Sequence, residues 1–493
     1  MGVLFYNLPF IDRLTMLTHH FTTSHTPSTL TALIATHHPD WQVCFLNNNH
    51  RPVIGICPKV SWTALFDDTL HIQRQTREQK TDTYPSTYTD WQHELIDYAN
   101  TFANTNTETG DYAHGLMGFV GYDLAAHQLN ANIAIKPNQP CAYLGHYDLY
   151  LKPSNDGFVL CGVDTKMSFF DEMIHQLDVL CKKNPPNAQS AQFIAAWQKH
   201  EYINAFEHTQ EYIKAGDTYQ INLTQQWQAT LDNLSGILPS LQDTMNAPFA
   251  GYLQLNQDCP FAPSLSKGEG QETDMIRQAR HERLFEILSV SPELFFEFYQ
   301  ENNNIHLMTK PIKGTRPRHD DVAIDDMLKQ ELATSEKDIS ENLMIVDLLR
   351  NDLGKYAKIG TVKTPKRFAI ESFKNVHHMV STVVAQLKEV HALEVLLGSL
   401  PAGSITGTPK KRACEIIHEL EVSPRGAYCG TMGYMNFDGS GVWNVLIRTL
   451  QKSNNQAQIW AGGGITIKSD LDSEYQECFD KVGVILNFIN HHA

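Results

Sequence analysis

The sequence predicts a fold of mixed helices and strands, and three observations predict it. Segments in which apolar and polar residues alternate, as in strands, are interleaved along the chain with segments whose apolar residues recur every three or four positions, as in helices. No internal repeat period links them, which sets repeat architectures aside. With 493 residues, 42% of them apolar and 19% charged, the chain has globular composition and exceeds the usual limit of a single core, so two domains or one large composite fold are expected.

Charge and cysteine usage narrow the function classes. The 39 Lys and Arg against 55 Asp and Glu leave a net charge of −16, which favours solubility and disfavours a polyanion, so no nucleic acid partner is expected. The nine cysteines are odd in number and scattered, without a Cys-x-x-Cys pair, as in a reducing compartment. No apolar run approaches the length of a membrane span. The first residues carry no basic stretch, and Asp12 and Arg13 interrupt their apolar run, so a signal peptide is not expected. Tyr6 departs from a myristoylation pattern. The expectation is a soluble cytoplasmic protein.

In chain order, residues 1–190 read as a mixed helix and strand region that ends in the polar Lys-Lys-Asn-Pro-Pro-Asn at 182–187, where a boundary is placed. The second region, 191–493, opens with a helix over 193–214, carried by Tyr202, Phe206, Tyr212 and Ile213 and stopped at Gly216. A strand follows over 219–227, with Tyr219, Ile221 and Leu223 on one face and Gln220, Asn222 and Thr224 on the other. That polar face either lines a wet cavity or meets solvent. Residues 258–280 are polar, rich in Gly and Ser and without periodicity, and read as a long loop insertion. Strand pattern resumes over 284–299, interrupted by Ser291, Pro292 and the lone acid Glu293.

The stretch Pro-Ile-Lys-Gly-Thr-Arg-Pro-Arg at 311–318 holds Lys313 between a rigid proline entry and a glycine turn. A lysine held this way is a nucleophile where its surroundings favour the neutral amine; alone, the stretch also reads as a basic surface turn. Asp338 and Glu341 stand three apart on a helix, in line with Ile345, Leu348 and Leu349, so they point the way the apolar stripe points. Glu474 and Glu477 repeat that spacing near the C-terminus, in line with Lys481 and Ile485. Four carboxylates without Cys or His suit Mg2+ better than zinc, while either pair alone also reads as a salt-bridged helix start.

The run Ala-Gly-Ser-Ile-Thr-Gly-Thr-Pro-Lys-Lys-Arg at 402–412 reads as a glycine loop entering a helix, with Thr408 as N-cap and Pro409 as first helical residue. Such a loop is an anion site, and its spacing departs from a phosphate-binding P-loop, so a carboxylate is the expected ligand. Arg448, between Leu446 and Leu450, falls on the apolar face of a strand pattern, where a guanidinium wants a bidentate acid. Gly462, Gly463 and Gly464 lie within the next strand, either because something approaches that backbone or as a bulge. His378 follows His377 in another strand.

These segments resemble the chorismate-utilising enzymes, the family of anthranilate synthase, isochorismate synthase and aminodeoxychorismate synthase component I. The resemblance covers residues 193–488, with a weaker echo at 118–123, and rests on five blocks in the family's order: Ser291-Pro292-Glu293, residues 311–318, residues 341–352, residues 403–410 and residues 473–477. It implies an α+β fold with large antiparallel sheets packed as a β-sandwich core and helices outside, and an N-terminal region of the anthranilate synthase component I type.

Two positions sort the branches. Members that add water to chorismate carry a lysine where this chain has Gln220, and anthranilate synthases carry alanine where it has Lys313. The resemblance is therefore to the aminodeoxychorismate branch, which serves p-aminobenzoate and folate synthesis, with anthranilate synthase component I as the alternative. It implies Lys313 as the nucleophile at C2 of chorismate, Glu293 as the acid for the departing C4 hydroxyl, and His378 beside the ring. Mg2+ is implied on Glu341 and Glu477, assisted through water by Asp338 and Glu474. Gln220, Gly314, Thr315, Gly403, Ser404, Thr406, Gly407, Tyr428, Arg448, Gly463, Gly464 and Lys481 are implied around the substrate. The sequence has no Gly-x-Cys-x-Gly turn, so ammonia is expected from a separate glutamine amidotransferase subunit in a heterodimer. The family's tryptophan-binding motif is not evident over residues 41–49.

Overall fold

The computed structural model describes residues 16–78, 80–102, 111–256, 284–373 and 376–491; the insertion expected over 258–280 lies outside them. Nine strands position the site: β1 (Gln220–Thr230), β2 (Leu284–Ser291), β3 (Leu294–Glu301), β4 (Ile312–Pro317), β5 (Val376–Gln386), β6 (Gly407–Thr408), β7 (Gly441–Val445), β8 (Thr449–Ser453) and β9 (Gln456–Ile465). Four helices serve it: α1 (Lys199–Ala215), α2 (Glu336–Gly354), α3 (Lys410–Leu420) and α4 (Leu471–His491).

Among the described residues, these strands belong to two antiparallel sheets of twelve strands each. The first runs Met16–Thr22, Gly157–Val163, Leu149–Ser154, Val53–Gly55, Cys44–Leu46, Phe249–Asn256, β2, β8, β9, β1, Ile194–Ala195, with β6 paired to β1. The second runs β4, β5, Asn304–Lys310, β3, β7, Thr431–Asn436, Gly115–Val120, Ala142–His146, Val60–Asp67, Thr69–Thr76, Thr81–Pro85, with Lys363–Ser372 paired to β5. The boundary expected near residue 190 falls in coil, and strands from both sides of it hydrogen-bond within the same sheets.

The sheets face each other across one core, in which Phe119 of the second stacks on Phe285 of the first at 5.6 Å between ring centres. The outer faces are covered by helices: Trp91 and Leu95 pack on the second sheet, and Phe206 and Ile485 on the first. This is the α+β sandwich with helices outside that the family resemblance implies.

Local signals explain the helix ends. Gly216 ends α1 at φ +85°, a left-handed conformation that costs glycine least. The Ser335 hydroxyl caps α2 by accepting from the Asp338 amide at 3.3 Å, and the acids of the first turn complement the helix dipole. Helix α3 begins one residue later than its sequence suggests, with Pro409 as N-cap, because Thr408 is drawn into the ladder opposite Gln220. Tyr219 is likewise outside the strand expected over 219–227 and is 72% exposed.

The chain passes from the first sheet to the second in two residues, 292 and 293, between β2 and β3, and returns through residues 446–448, between β7 and β8. The two corners are tied together: Ser291 Oγ donates to the Val445 carbonyl at 2.6 Å, and the Val445 amide donates to the Glu293 carbonyl at 3.1 Å. Further along the same pair of strands, Glu286 and Lys452 stand in register and form an ion pair at 3.2 Å with both side chains 0% exposed. Tyr252 Oη and the Leu234 amide also donate to Glu286 Oε1, at 2.6 and 3.1 Å. Lys452→Met strands that carboxylate in the core, so it is expected to cost about 3–5 kcal/mol in urea unfolding. Replacing both partners together with apolar residues recovers most of that loss; a single variant as stable as the parent would contradict this role for the pair.

Candidate active site

The site is built where the two corners meet the edge strand β4. Glu293 occupies the first corner, is 6% exposed, and accepts a hydrogen bond from Ser404 Oγ at 3.1 Å. Burial raises its pKa to about 7, against the opposing charges of Lys313, Lys481 and Arg448 and the Ser404 hydrogen bond. It is therefore a carboxyl poised to carry or release a proton near neutrality. Arg448 occupies the second corner at φ +51°, immediately before β8 and not within a strand as its alternation suggests. Burial pushes its pKa down, and the facing Glu293 carboxylate opposes that.

Lys313 stands half-buried at a bulge. Between Ile312 opposite Val380 and Thr315 opposite His378, β4 carries one more residue than β5, and Gly314 absorbs it at φ +80°. A Cβ at Gly314 would come within 2.7 Å of Asp338, so both its backbone and its lack of a side chain are used. The bulge turns Lys313 toward the acids: its charge bears on Glu293, Glu341 and Glu477. Thr315 Oγ1 and His378 Nδ1 are 2.9 Å apart, and His378 also shares a backbone hydrogen bond with Gly314. Burial, aided by Arg448, lowers the His378 pKa to about 4, so this imidazole is neutral at pH 7.

Helices α2 and α4 bring their acids to the same place. Burial raises the Glu341 pKa, and Glu474 and Glu477 raise it further while Lys313 and Lys337 oppose. Glu474, 2% exposed, accepts from Ser469 Oγ at 2.7 Å and from Lys337 Nζ at 3.4 Å. Its pKa is raised by burial and by the charge of Glu477. Burial also acts upward on Glu477, but the Lys481 ammonium at 2.6 Å holds it below the usual range. Lys481 is anchored in turn on the Gly462 carbonyl at 2.6 Å. Asp338 faces Gly314 and lies 3.5 Å from Arg316 Nη2.

What this cluster offers a divalent cation is donor chemistry and room. The donors are carboxylate oxygens, the set that hard cations prefer. Gly463 leaves an open cradle beside them: a Cβ there would lie 2.5 Å from Glu474 Oε2 and 3.5 Å from the Glu477 carboxylate. Among the described residues no three acidic, histidine or cysteine side chains already converge at metal-holding distance. Lys337 pairs with Glu474 and Lys481 with Glu477.

The loop over 403–408 closes the other side. Gly403 lies directly over Leu348 of α2, where a Cβ would come within 2.3 Å. Thr406 is fully buried, its hydroxyl donating to the Ala402 carbonyl at 3.1 Å and its carbonyl accepting from the Asn222 amide at 2.7 Å. Gly407 passes so close to the Gln220 carbonyl that a Cβ would fall 2.0 Å from it. The Gln220 side chain, 1% exposed, points at Gly464, and neither its amide nitrogen nor its oxygen has a protein partner. The polar face of β1 is thus buried, and Gln220 keeps a donor and an acceptor for a bound molecule or water. Tyr428 is set back in the core, stacked on Trp460 at 5.7 Å.

Two contributors escaped the sequence reading. Lys337 faces Glu474, Glu341 and Glu477; a cation in the first turn of a helix, where the dipole disfavours it, was the available signal. Arg425, 1% exposed, grips Glu421 at 2.6 and 2.8 Å and donates to the carbonyls of Ile405 and Asn222 at 3.1 and 2.7 Å, fixing the 403–408 loop on β1. Its i,i+4 spacing from Glu421 was the signal there.

The family of chorismate binding enzymes matches residues 56–487, a stretch that contains every residue of this site. The chain belongs to the chorismate binding enzymes. It is 34% identical over 444 residues to aminodeoxychorismate synthase component 1 of Salmonella typhimurium, covering 88% of this chain and 85% of that one. It is 36% identical over 382 residues to the protein of that name from Klebsiella aerogenes, covering 76% of each. Among solved structures, anthranilate synthase component I from Streptococcus pneumoniae superposes with a TM-score of 0.69 at 22% identity, over 88% of this chain and 91% of that one. No helix among the described residues of this chorismate binding enzyme is long and apolar enough to cross a membrane.

The electrostatics of Glu293 give a direct test. Difference infrared titration is expected to show a carboxyl band that disappears with a midpoint near pH 7 and is absent from Glu293→Gln. Ser404 stabilises the ionised form, so Ser404→Ala moves the midpoint upward. The same raised pKa makes the contribution of Glu293 to stability fullest at acid pH and lost as pH rises through about 7. A midpoint in the ordinary carboxyl range would refute the buried-acid assignment.

Proposed function

We propose that this chain is an aminodeoxychorismate synthase component I, which converts chorismate and ammonia to 4-amino-4-deoxychorismate. The observation that carries the reading is Lys313, turned by its bulge toward Glu293, Glu341 and Glu477. The name shared by its relatives from Salmonella typhimurium and Klebsiella aerogenes supports the same branch. Their designation as a component supports a partner, which we take to be a glutamine amidotransferase that supplies ammonia.

In this reading the Lys313 amine adds to C2 of chorismate, both ring double bonds shift (C1=C2 to C6=C1 and C5=C6 to C4=C5), and the C4–O bond breaks. Glu293 gives its proton to the departing hydroxyl, which leaves as water. Ammonia then adds at C4 and loses a proton, both double bonds shift back, and the C2–N bond to Lys313 breaks as the amine takes up a proton. A hydroxyl is a poor leaving group, and a carboxyl with a pKa of about 7 still holds a proton to give it at neutrality. Neutral His378 and Thr315 line the ring side of Lys313, and Gln220 offers a donor and an acceptor to the substrate.

Arg448, the 403–408 loop and Lys481 suit the carboxylates of the substrate. Glu341 and Glu477 would hold Mg2+, with Asp338 and Glu474 acting through water. When bound, that ion supplies positive charge to the ring carboxylate.

Purified chain given chorismate, Mg2+ and ammonium is expected to accumulate aminodeoxychorismate without releasing pyruvate. Fluorescent anthranilate with equimolar pyruvate would overturn the assignment in favour of anthranilate synthase. Glu293→Gln is expected to lower turnover by about 10²- to 10⁴-fold with little change in KM, as for loss of a general acid. A KM effect alone would place Glu293 in binding.

A further inference from the structure

We infer that Lys337 is an internal counter-ion of the carboxylate cluster, one that a divalent cation must displace to bind. The inference rests on the reading of Glu341, Glu474 and Glu477 as a cation site.

Three observations carry it. First, the acids face one another from two helices, α2 and α4, and like charges held this close need a cation among them. Second, two lysines supply it in very different ways. Lys481 is fixed by two bonds of 2.6 Å, to Glu477 on its own helix and to the Gly462 carbonyl of β9. Lys337 reaches across from α2 to Glu474 on α4 with one contact of 3.4 Å, while its side chain stays 55% exposed. Third, Lys337 stands in the first turn of α2, beside Asp338, where the helix dipole repels a cation; the charges that hold it there are those of Glu474, Glu341 and Glu477, with Asp470 also within its reach.

A residue so placed has two positions available. With its ammonium on Glu474 it neutralises the cluster; swung outward on its flexible stem it leaves Glu474 and the Gly463 cradle clear. An entering divalent cation replaces one positive charge with two, and Lys481, anchored on backbone, remains as the permanent counter-ion. Lys337 therefore weakens cation affinity in the resting protein. That is the opposite of what a residue merely supporting the site would do.

Direct titration of the metal-free protein with Mn2+, without chorismate and at constant ionic strength, tests this by counting free Mn2+ from its paramagnetic resonance. Lys337→Met and Lys337→Gln are expected to bind Mn2+ on the order of tenfold more tightly than the parent, from loss of a single nearby charge. Lys337→Arg, which keeps the charge, is expected to bind as the parent does. Unchanged or weaker Mn2+ binding in both neutral variants would overturn the inference while leaving the cation site intact. Absence of Mn2+ binding in the parent and in every variant would overturn the cation site itself, and the inference with it.

Discussion

The site depends on a double crossing between the two sheets. The chain leaves one sheet at residues 292 and 293 and returns at 446–448, the two crossings pass each other, and each corner carries one polar side chain outside both ladders. Those side chains are Glu293 and Arg448. The hydrogen bonds between Ser291, Val445 and the Glu293 backbone lock the corners together, and the buried Glu286–Lys452 pair fixes the register of the strands that lead to them. Proline at 292 suits the first corner because no ladder bond is required of it. The crossing thus forces an acid out of solvent, and burial does the rest of the work on its proton.

Charge organises what the crossing starts. Glu293, Glu341, Glu474 and Glu477 share a small volume with Lys313, Lys337, Lys481 and Arg448, and the pKa values of these acids separate by environment. Glu293 retains its proton up to about pH 7, whereas Glu477, held by Lys481, stays ionised. The two acids can therefore take different roles, one giving a proton and the other holding charge. Lys313 lies between these groups because one extra residue in β4, accommodated by Gly314, rotates it away from the regular strand direction. An alanine at 314 would meet Asp338 as well as strain the backbone, so the bulge and the position of α2 are set together.

Much of this was legible in the sequence, and the reasons are physical. Helical spacing placed Asp338, Glu341, Glu474 and Glu477 on inward faces, because a 3.6-residue period reports direction. The glycine run at 462–464 announced a close approach, realised by Lys481, Glu474 and Gln220. Long-range pairing was not legible. Nothing local shows that strands of residues 16–163 share sheets with those of 194–465, or that the polar face of β1 is buried beneath the 403–408 loop. Alternation put Arg448 in a strand because Leu446 and Leu450 are both buried, yet the chain turns a corner between them. Thr408 was taken for a cap because its strand partner lies almost 190 residues earlier, at Gln220. Lys337 and Arg425 carry little local signal because the partners that make them matter lie on other elements.

The central claim is that Lys313 becomes covalently attached to the substrate. Peptide mass spectrometry of protein mixed with chorismate and Mg2+ in the absence of ammonia, then acid-quenched, measures this most directly. The account predicts an adduct of chorismate less water on the peptide that contains Lys313, lost in Lys313→Ala and discharged when ammonium is added before the quench. No adduct, or one that persists in Lys313→Ala, would contradict it.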